Sequence, residues 1–431
     1  MAHSGPLLIG AIADDLTGAT DLASSLALGG LRVAVSVGPP AALPEPTDAL
    51  IVALKIRSTG IAEAVAAAVE SAERLRQGGA QRLYFKYSST FDSGEDGNIG
   101  PVSDALFEYA GAFGGATGLG DADGAGGADG GVVVVCPAFP RLGRTVYQGH
   151  LFVGEHLLDR AGLGDHPLTP RREPSVVSLM ARQTPHRVGL VPFQIVRQGA
   201  TAIAGAFSDL RSRGIRYAVT DAVDDSDLVS IAAAATDHRL LTGSAGLAGA
   251  LAALLRPAAG NRKITDWNPP GEGPAVILSG SCSQVTRRQI EAFARHGPVL
   301  RLDAARLTAS TATDAVAWAT PLLAHSAVLI CSTPPGDEQP VSAPGVAQEV
   351  EDVLGRIARQ LHEGGFRRFV VAGGETSGAV VQALEVRLLE LGPELSPGVS
   401  WMAERAGPGI LLALKSGNFG DEAFFLRAAN P

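Results

Sequence analysis

Lysine is scarce in this chain: four of the 35 basic residues are lysines, Lys55, Lys86, Lys263 and Lys415, and the rest are arginines. Each surviving lysine is therefore a candidate for a place where a compact ammonium serves and a planar guanidinium does not. Cysteine is scarce too. Cys136, Cys282 and Cys331 lie near the ends of apolar runs without paired spacing, which excludes a disulfide framework or structural zinc and points to a reduced, cytoplasmic setting. No run reaches the about 18 uncharged apolar residues of a membrane span. The early apolar stretch is broken by Asp14-Asp15 and has no basic region before it, unlike a secretory signal. With a net charge of −9, the basic face that a nucleic-acid partner demands is not expected, and neither is a membrane partner. Small anionic substrates stay open where cations gather locally.

What is present is alternation. A chain of 431 residues is longer than one core usually serves, so two domains are expected, and the short apolar runs separated by helical stripes predict α/β domains, each a mostly parallel sheet flanked by helices. Residues 7–13 read as a strand buried on both faces; Leu16, Ala19, Leu22, Ala23, Leu26 and Ala27 then repeat at helical spacing up to Gly29-Gly30. Asp14 and Asp15 thus fall at the carboxyl end of the first strand, the rim where open α/β sheets place ligands. One aspartate is explained as a helix cap. Two in succession suggest that at least one does chemistry.

Further strands are expected at 31–37, 49–55, 82–86 and 132–135, with a helix over 61–75 closed by Gly78-Gly79. Behind the strand ending at Lys86 come Ser88, Ser89, Thr90, Asp92 and then Asn98, a cation, hydroxyls, an acid and an amide suited to a polyhydroxylated ligand or, equally, to a self-bonded turn. Ten of the 21 residues from 111 to 131 are glycine, the composition of a flexible surface insertion. Arg141, Arg144, Tyr147, Gln148 and His150 crowd one expected loop, where two arginines could grip a carboxylate. Strands at 216–220 and 240–241 complete the first domain, 1–255; the proline-bearing stretch 256–274 reads as a linker and a candidate hinge, and 275–431 as the second domain.

In the second half a strand feeds Ser279-Gly280-Ser281-Cys282-Ser283. Another feeds Gly373-Gly374-Glu375-Thr376-Ser377-Gly378 and a helix with an expected stripe of Val380, Val381, Leu384 and Leu388. Glycines at such a turn let a ligand approach, and the first free amides of a helix suit a phosphate. Lys415-Ser416-Gly417-Asn418 forms a second glycine-bearing turn. Neither the Gly-x-x-x-x-Gly-Lys-Ser/Thr nor the Gly-x-Gly-x-x-Gly pattern occurs, so ordinary NTPase and dinucleotide motifs are absent.

Taken together, Ala13-Asp14-Asp15-Leu16-Thr17-Gly18-Ala19, the Lys86 to Asp92 run with Gly97-Asn98-Ile99-Gly100-Pro101, and the three turns of the second half resemble the four-carbon acid sugar kinases over nearly the whole chain. Gly143-Arg144-Thr145-Val146-Tyr147-Gln148-Gly149-His150 and His166-Pro167-Leu168-Thr169-Pro170 look like the 3-oxo-tetronate branch; Arg141-Leu142 and Arg171-Arg172 depart from it. The resemblance implies a front domain that binds the sugar acid, a rear domain that binds ATP, and an active site in the cleft between them. It also implies transfer of phosphate to the terminal C4 hydroxyl, with Mg²⁺. ATP contacts are then expected from Ser279, Ser281, Gly373, Gly374, Glu375, Thr376, Ser377, Gly378, Lys415, Gly417 and Asn418. Asp14 or Asp15 is the expected base; Arg57, Lys86 and Arg144 are expected to receive the substrate carboxylate beside Ser88, Ser89, Asp92 and Asn98. The metal ligands are not assigned, and the oligomeric state is open, with a homodimer as one outcome. The competing readings are a D-threonate or D-erythronate kinase and a non-catalytic binder of nucleotide or sugar acid.

Overall fold

A computed structural model describes residues 7–40, 47–94, 96–110, 131–161, 173–255, 267, 273–336, 345–404 and 409–429. The glycine-rich 111–130, the 162–172 segment with its His-Pro-Leu-Thr-Pro run, and all of the 256–274 stretch except 267, 273 and 274 lie outside the described residues. The chain divides into two compact units, 1–262 and 263–431, each of which is described by itself.

In the first unit β1 (Ile9–Ala13), α1 (Leu16–Leu28), β2 (Val33–Val37), β3 (Ala49–Ala53), α2 (Ile61–Gln77), β4 (Leu83–Lys86), α3 (Ile99–Ala110) and β5 (Val133–Cys136) alternate as expected. There follow β6 (Arg144–Tyr147), β7 (His150–Val153), β8 (His156–Leu157), α4 (Val176–Gln183), β9 (Val188–Val191), α5 (Phe193–Val196), α6 (Ala200–Ser212), β10 (Tyr217–Thr220), α7 (Asp225–Ala234), β11 (Leu240–Gly243) and α8 (Ala245–Leu255). The strands of the main sheet run β2-β3-β1-β4-β11-β5-β10-β9, all parallel. Parallel pairing brings every carboxyl end to one edge, so Asp14, the Lys86 turn and the segment after β5 share a rim. The central strands are buried along their whole length and mostly apolar, as in Ile9–Ala13 and Ala49–Ala53.

The stretch expected as a loop at 141–150 is instead a 3₁₀ turn, Pro140–Leu142, and the antiparallel β6-β7-β8 sheet. A buried carboxylate explains it: Asp221, just past β10, accepts hydrogen bonds from the Gln148, Gly149 and Phe193 amides at 2.7, 2.8 and 2.9 Å. That hairpin tip is pinned by a residue more than seventy positions away, beyond the reach of any local pattern.

The second unit contains β12 (Val276–Ser279), α9 (Gln284–Ala294), β13 (Val299–Arg301), α10 (Thr311–Leu323), β14 (Val328–Cys331), α11 (Val346–Glu363) and β15 (Arg368–Ala372). It continues with α12 (Gly374–Ala383), β16 (Leu388–Ser396), β17 (Val399–Ala403), β18 (Leu411–Lys415) and α13 (Phe424–Ala429). Strand order is β13-β14-β12-β15-β18-β17-β16; the pairs up to β15-β18 are parallel, and β18-β17 and β17-β16 are antiparallel. Leu388 therefore does not extend the α12 stripe. The helix ends at Ala383, Glu385 takes a left-handed φ of 57°, and Leu388 opens β16. The register places Ser279 beside Ala372 and Ala372 beside Lys415, so three strand ends finish level and their turns lie side by side.

Candidate functional site

On the rim of the first unit the decisive partner is Arg57, which reaches back from beyond β3. Its Nε and Nη2 donate to the two carboxylate oxygens of Asp14 at 2.9 and 2.8 Å, and its Nη1 lies 2.9 Å from Asp15 Oδ2 and 3.9 Å from Asp92 Oδ2. Burial pushes the Asp14 carboxyl above the usual range, and the Arg57 guanidinium opposes that shift. Asp15 holds the backbone in place. As N-cap of α1 it accepts from the Gly18 amide at 2.6 Å and from the Thr17 hydroxyl at 3.0 Å. The Arg57 loop is held by Asn98, whose amide nitrogen donates to the Ile56 and Thr59 carbonyls at 2.6 and 2.9 Å.

Lys86 closes β4 and is 2% exposed. Its Nζ is 3.7 Å from Asp21 Oδ2 on α1, and a side chain at Gly18 would come within 3.2 Å of that Nζ. Glycine here leaves that space to the ammonium, whose field also reaches Asp14. Asp21 is a site residue that spacing and motif do not single out. Burial pushes its carboxyl up to about 6 against the lowering fields of Lys86, Arg141 and Arg144. The sequence does carry a signal, since Asp21 lies one helical turn beyond Thr17 on the same face, but only the tertiary fold gives it a cation. After β4 the Ser88 and Thr90 hydroxyls bond at 2.8 Å, and Thr90 donates to Asp92 at 2.6 Å. Phe91 holds a φ of 46° in this turn, its ring edge-on to Tyr87. Ser89 is half-buried beside them. Arg144 begins β6 and donates to the Leu142 carbonyl.

In the second unit the three level turns form a cradle. Ser283 caps α9, accepting from the Thr286 amide at 3.1 Å, while its hydroxyl donates to the Gly417 carbonyl at 2.6 Å. Gly417 packs so closely on Ser281 Oγ that a Cβ there would collide with it. Gly373 has φ 119°, a conformation that L side chains rarely adopt, and it starts α12 without any side-chain cap. No Gly373 side chain competes for the first amides of α12, and amides at a helix N-terminus suit anions. Ser377 turns inward and donates to the Gly373 carbonyl at 2.7 Å, which makes it part of the turn's frame. Gly374, Glu375 and Gly378 are half-buried on the same helix, with Thr376 buried beneath Gly280, and Asn418 is exposed. The Ser279 hydroxyl is fully buried and its Oγ has no hydrogen-bond partner among the described residues.

Lys415 differs from its expected role of reaching a ligand. It is fully buried, and its Nζ donates to Thr286 Oγ1, Ser416 O and Gly417 O at 3.0, 3.1 and 3.1 Å. The Phe424 and Phe425 rings stand 6.0 and 5.8 Å away. Burial pushes this ammonium down to about 7.

A sugar-binding N-terminal domain matches residues 9–251, and a nucleotide-binding C-terminal domain matches residues 276–425. A 3-oxo-tetronate kinase of Pseudomonas fluorescens is 41% identical over 98% of this chain and 96% of its own. The chain belongs to the four-carbon acid sugar kinase family. A 3-oxo-tetronate kinase of Salmonella typhimurium is 40% identical over 98% of both chains. Two crystal structures share the fold of this kinase: one from Salmonella typhimurium, with TM-score 0.83 and 39% identity over 98% of this chain and 99% of that one, and one from Haemophilus influenzae, with TM-score 0.74 and 36% identity over 97% and 98%. In this kinase the acid-rich rim falls within the sugar-binding match and the three-turn cradle within the nucleotide-binding match. No group of three or more metal-ligating side chains occurs among the described residues. No described helix is long and apolar enough to cross a membrane.

Proposed function

We propose that this kinase transfers the γ-phosphoryl group of ATP to the C4 hydroxyl of 3-oxo-tetronate, giving the 4-phosphate. The observation that carries the reading is the Asp14 carboxylate, buried at a strand end, gripped by both prongs of Arg57 and within the field of the Lys86 ammonium. Asp14 takes the proton of the C4 hydroxyl as the O4–P bond forms and the bond to the ADP leaving group breaks. A carboxyl whose pKa is raised by burial is a better acceptor than an exposed one. Asp15, with both oxygens engaged by the α1 cap and Arg57, orients the turn. Because Arg57 is committed to Asp14, the substrate carboxylate falls to Lys86 and Arg144, with Ser88 and Ser89 available to the sugar hydroxyls.

The cradle fits ATP on the evidence of its donors. The N-terminus of α12 has no side-chain cap and would present its first turn to phosphate, and the Gly417 backbone lies tight against Ser281. The orphan Ser279 hydroxyl is a buried polar group in want of a partner. Mg²⁺ would be held chiefly by the phosphates of ATP, a common mode for this cation, and would neutralise their charge. Phosphoryl transfer asks the protein mainly for positioning and electrostatic stabilisation. ATP use and three unpaired thiols suit the reducing cytoplasm.

The test is ADP release with Mg-ATP and a panel of 3-oxo-tetronates, D-threonate and D-erythronate. The 3-oxo acids should give the highest kcat/KM. Preference for threonate or erythronate would reassign the substrate, and no ADP with any acid would overturn the reading.

A further inference from the structure

Asp21 is a buried carboxylate that the phosphoryl transfer does not use. It stands on α1, 5% exposed, with Oδ2 3.7 Å from Lys86 Nζ and with Oδ1 buried and without a hydrogen-bond partner among the described residues. The cation opposite it is 2% exposed and carries three donors. A buried ion pair kept for stability needs short contacts and its remaining lone pairs and protons satisfied, because desolvation otherwise outweighs the attraction. This pair is long and has an orphan oxygen. Its geometry suits an ammonium with protons left for a third party.

The surroundings narrow what that party is. Groups that act on Asp21 are Lys86 on β4, Arg141 and Arg144 from the segment after β5, and Asp15 at the head of α1, with Tyr84 on β4 also within its field. The other elements against α1, namely β1, β2, β3 and α8, carry no charged side chain in their ranges. Lys86, Arg141 and Arg144 thus act on Asp21 from outside its own helix. The party that an ammonium with free protons takes is an anion, and the carboxylate of the sugar acid is the anion at hand.

We propose that Asp21 is a positioning residue for acid binding: from behind, it holds the Lys86 ammonium at the end of β4 so that the free protons of that ammonium meet the carboxylate of the sugar acid. The inference rests on the reading of Lys86 as a carboxylate ligand. Asp21 itself touches no substrate. Its removal leaves Lys86 charged and present but no longer aimed.

Steady-state kinetics of Asp21→Asn, Lys86→Met and the double variant test this, with melting temperature as the check on folding. Asp21→Asn should raise KM for the acid about tenfold or more, in line with the worth of a hydrogen bond to a charged group. KM for ATP should not move. In the Lys86→Met background the same substitution should add nothing, since the residue acts through Lys86. An unchanged acid KM in Asp21→Asn alongside a raised one in Lys86→Met overturns the inference and leaves the reading of Lys86 intact. An unchanged acid KM in Lys86→Met removes that reading. A further rise in the double variant, or equal rises for acid and ATP, marks Asp21 as merely structural and also overturns the inference. Should Asp21→Asn fail to fold, the smaller neutral Asp21→Ser carries the same expectations.

Discussion

Each unit has a strand that ends on a buried lysine, Lys86 in β4 and Lys415 in β18, and their surroundings are opposite. Lys86 has carboxylates around it, with Asp21 at 3.7 Å and Asp14 within its field. Among the described residues no carboxylate pairs with Lys415, which spends its three protons on a hydroxyl and two carbonyls and is backed by two phenylalanine rings. The first is equipped to present charge to an anion. The second braces a turn through all three protons of its charged form, although burial pushes it down to about 7. A shared residue type at a strand end thus does two jobs, decided by what the neighbouring helix contributes: Asp21 from α1, Thr286 from α9.

The comparison breaks first at its acidic side. Asp14→Asn should lower kcat by about 10²–10⁴, the range for a lost general base, with both KM values near normal. Normal turnover would move the base elsewhere and strip Lys86 of its catalytic neighbour. Next, Lys415→Met should raise KM for ATP and lower the melting temperature. It removes three hydrogen bonds, at about 0.5–1.5 kcal/mol each, although Gly417 O keeps the Ser283 and Thr286 hydroxyls, Thr286 Oγ1 keeps Ser283 and Ser416 O keeps the Phe419 amide. If only acid KM changed, the division of labour between the two lysines would be wrong.

Gly373→Ala should weaken ATP binding by a smaller step, because φ 119° strains any side chain at about 1–3 kcal/mol. Titration with ADP by calorimetry reads this directly, and unaltered affinity would separate the turn from the nucleotide. The smallest effect is the pH dependence of stability. Lys415 has its pKa lowered in the fold, so between about 7 and the unfolded value of 10.5 the unfolded chain binds more protons. Stability from this group therefore rises as pH rises through that window. The slope should vanish in Lys415→Met, as followed by urea unfolding from pH 7 to 9.

Much of the fold was legible because its signals are local. The helix from Leu16 to its glycine stop and the aliphatic strands at 49–53 and 133–136 follow from spacing alone. The antiparallel β6-β7-β8 sheet was not legible, since a distant carboxylate, Asp221, holds its tip. Nor was β16, where Leu388 fits a helical stripe that Glu385 ends with a left-handed residue. At the candidate site, Asp14, Lys86 and the glycine turns stood out in the sequence because each closes a strand. Asp21 did not, being one more polar residue in a helix whose Leu16 to Leu26 are all buried.

The sequence by itself determined which residues sit at strand ends, for that depends on period and punctuation within about ten residues. Only the tertiary structure decided which of them meet: Arg57 crosses 43 positions to clasp Asp14, and Lys415 crosses 129 to reach Thr286. The physical reason is that a charge acts through space. Its partner, and hence its role, is fixed by the register of strands and by what a packed helix turns toward them.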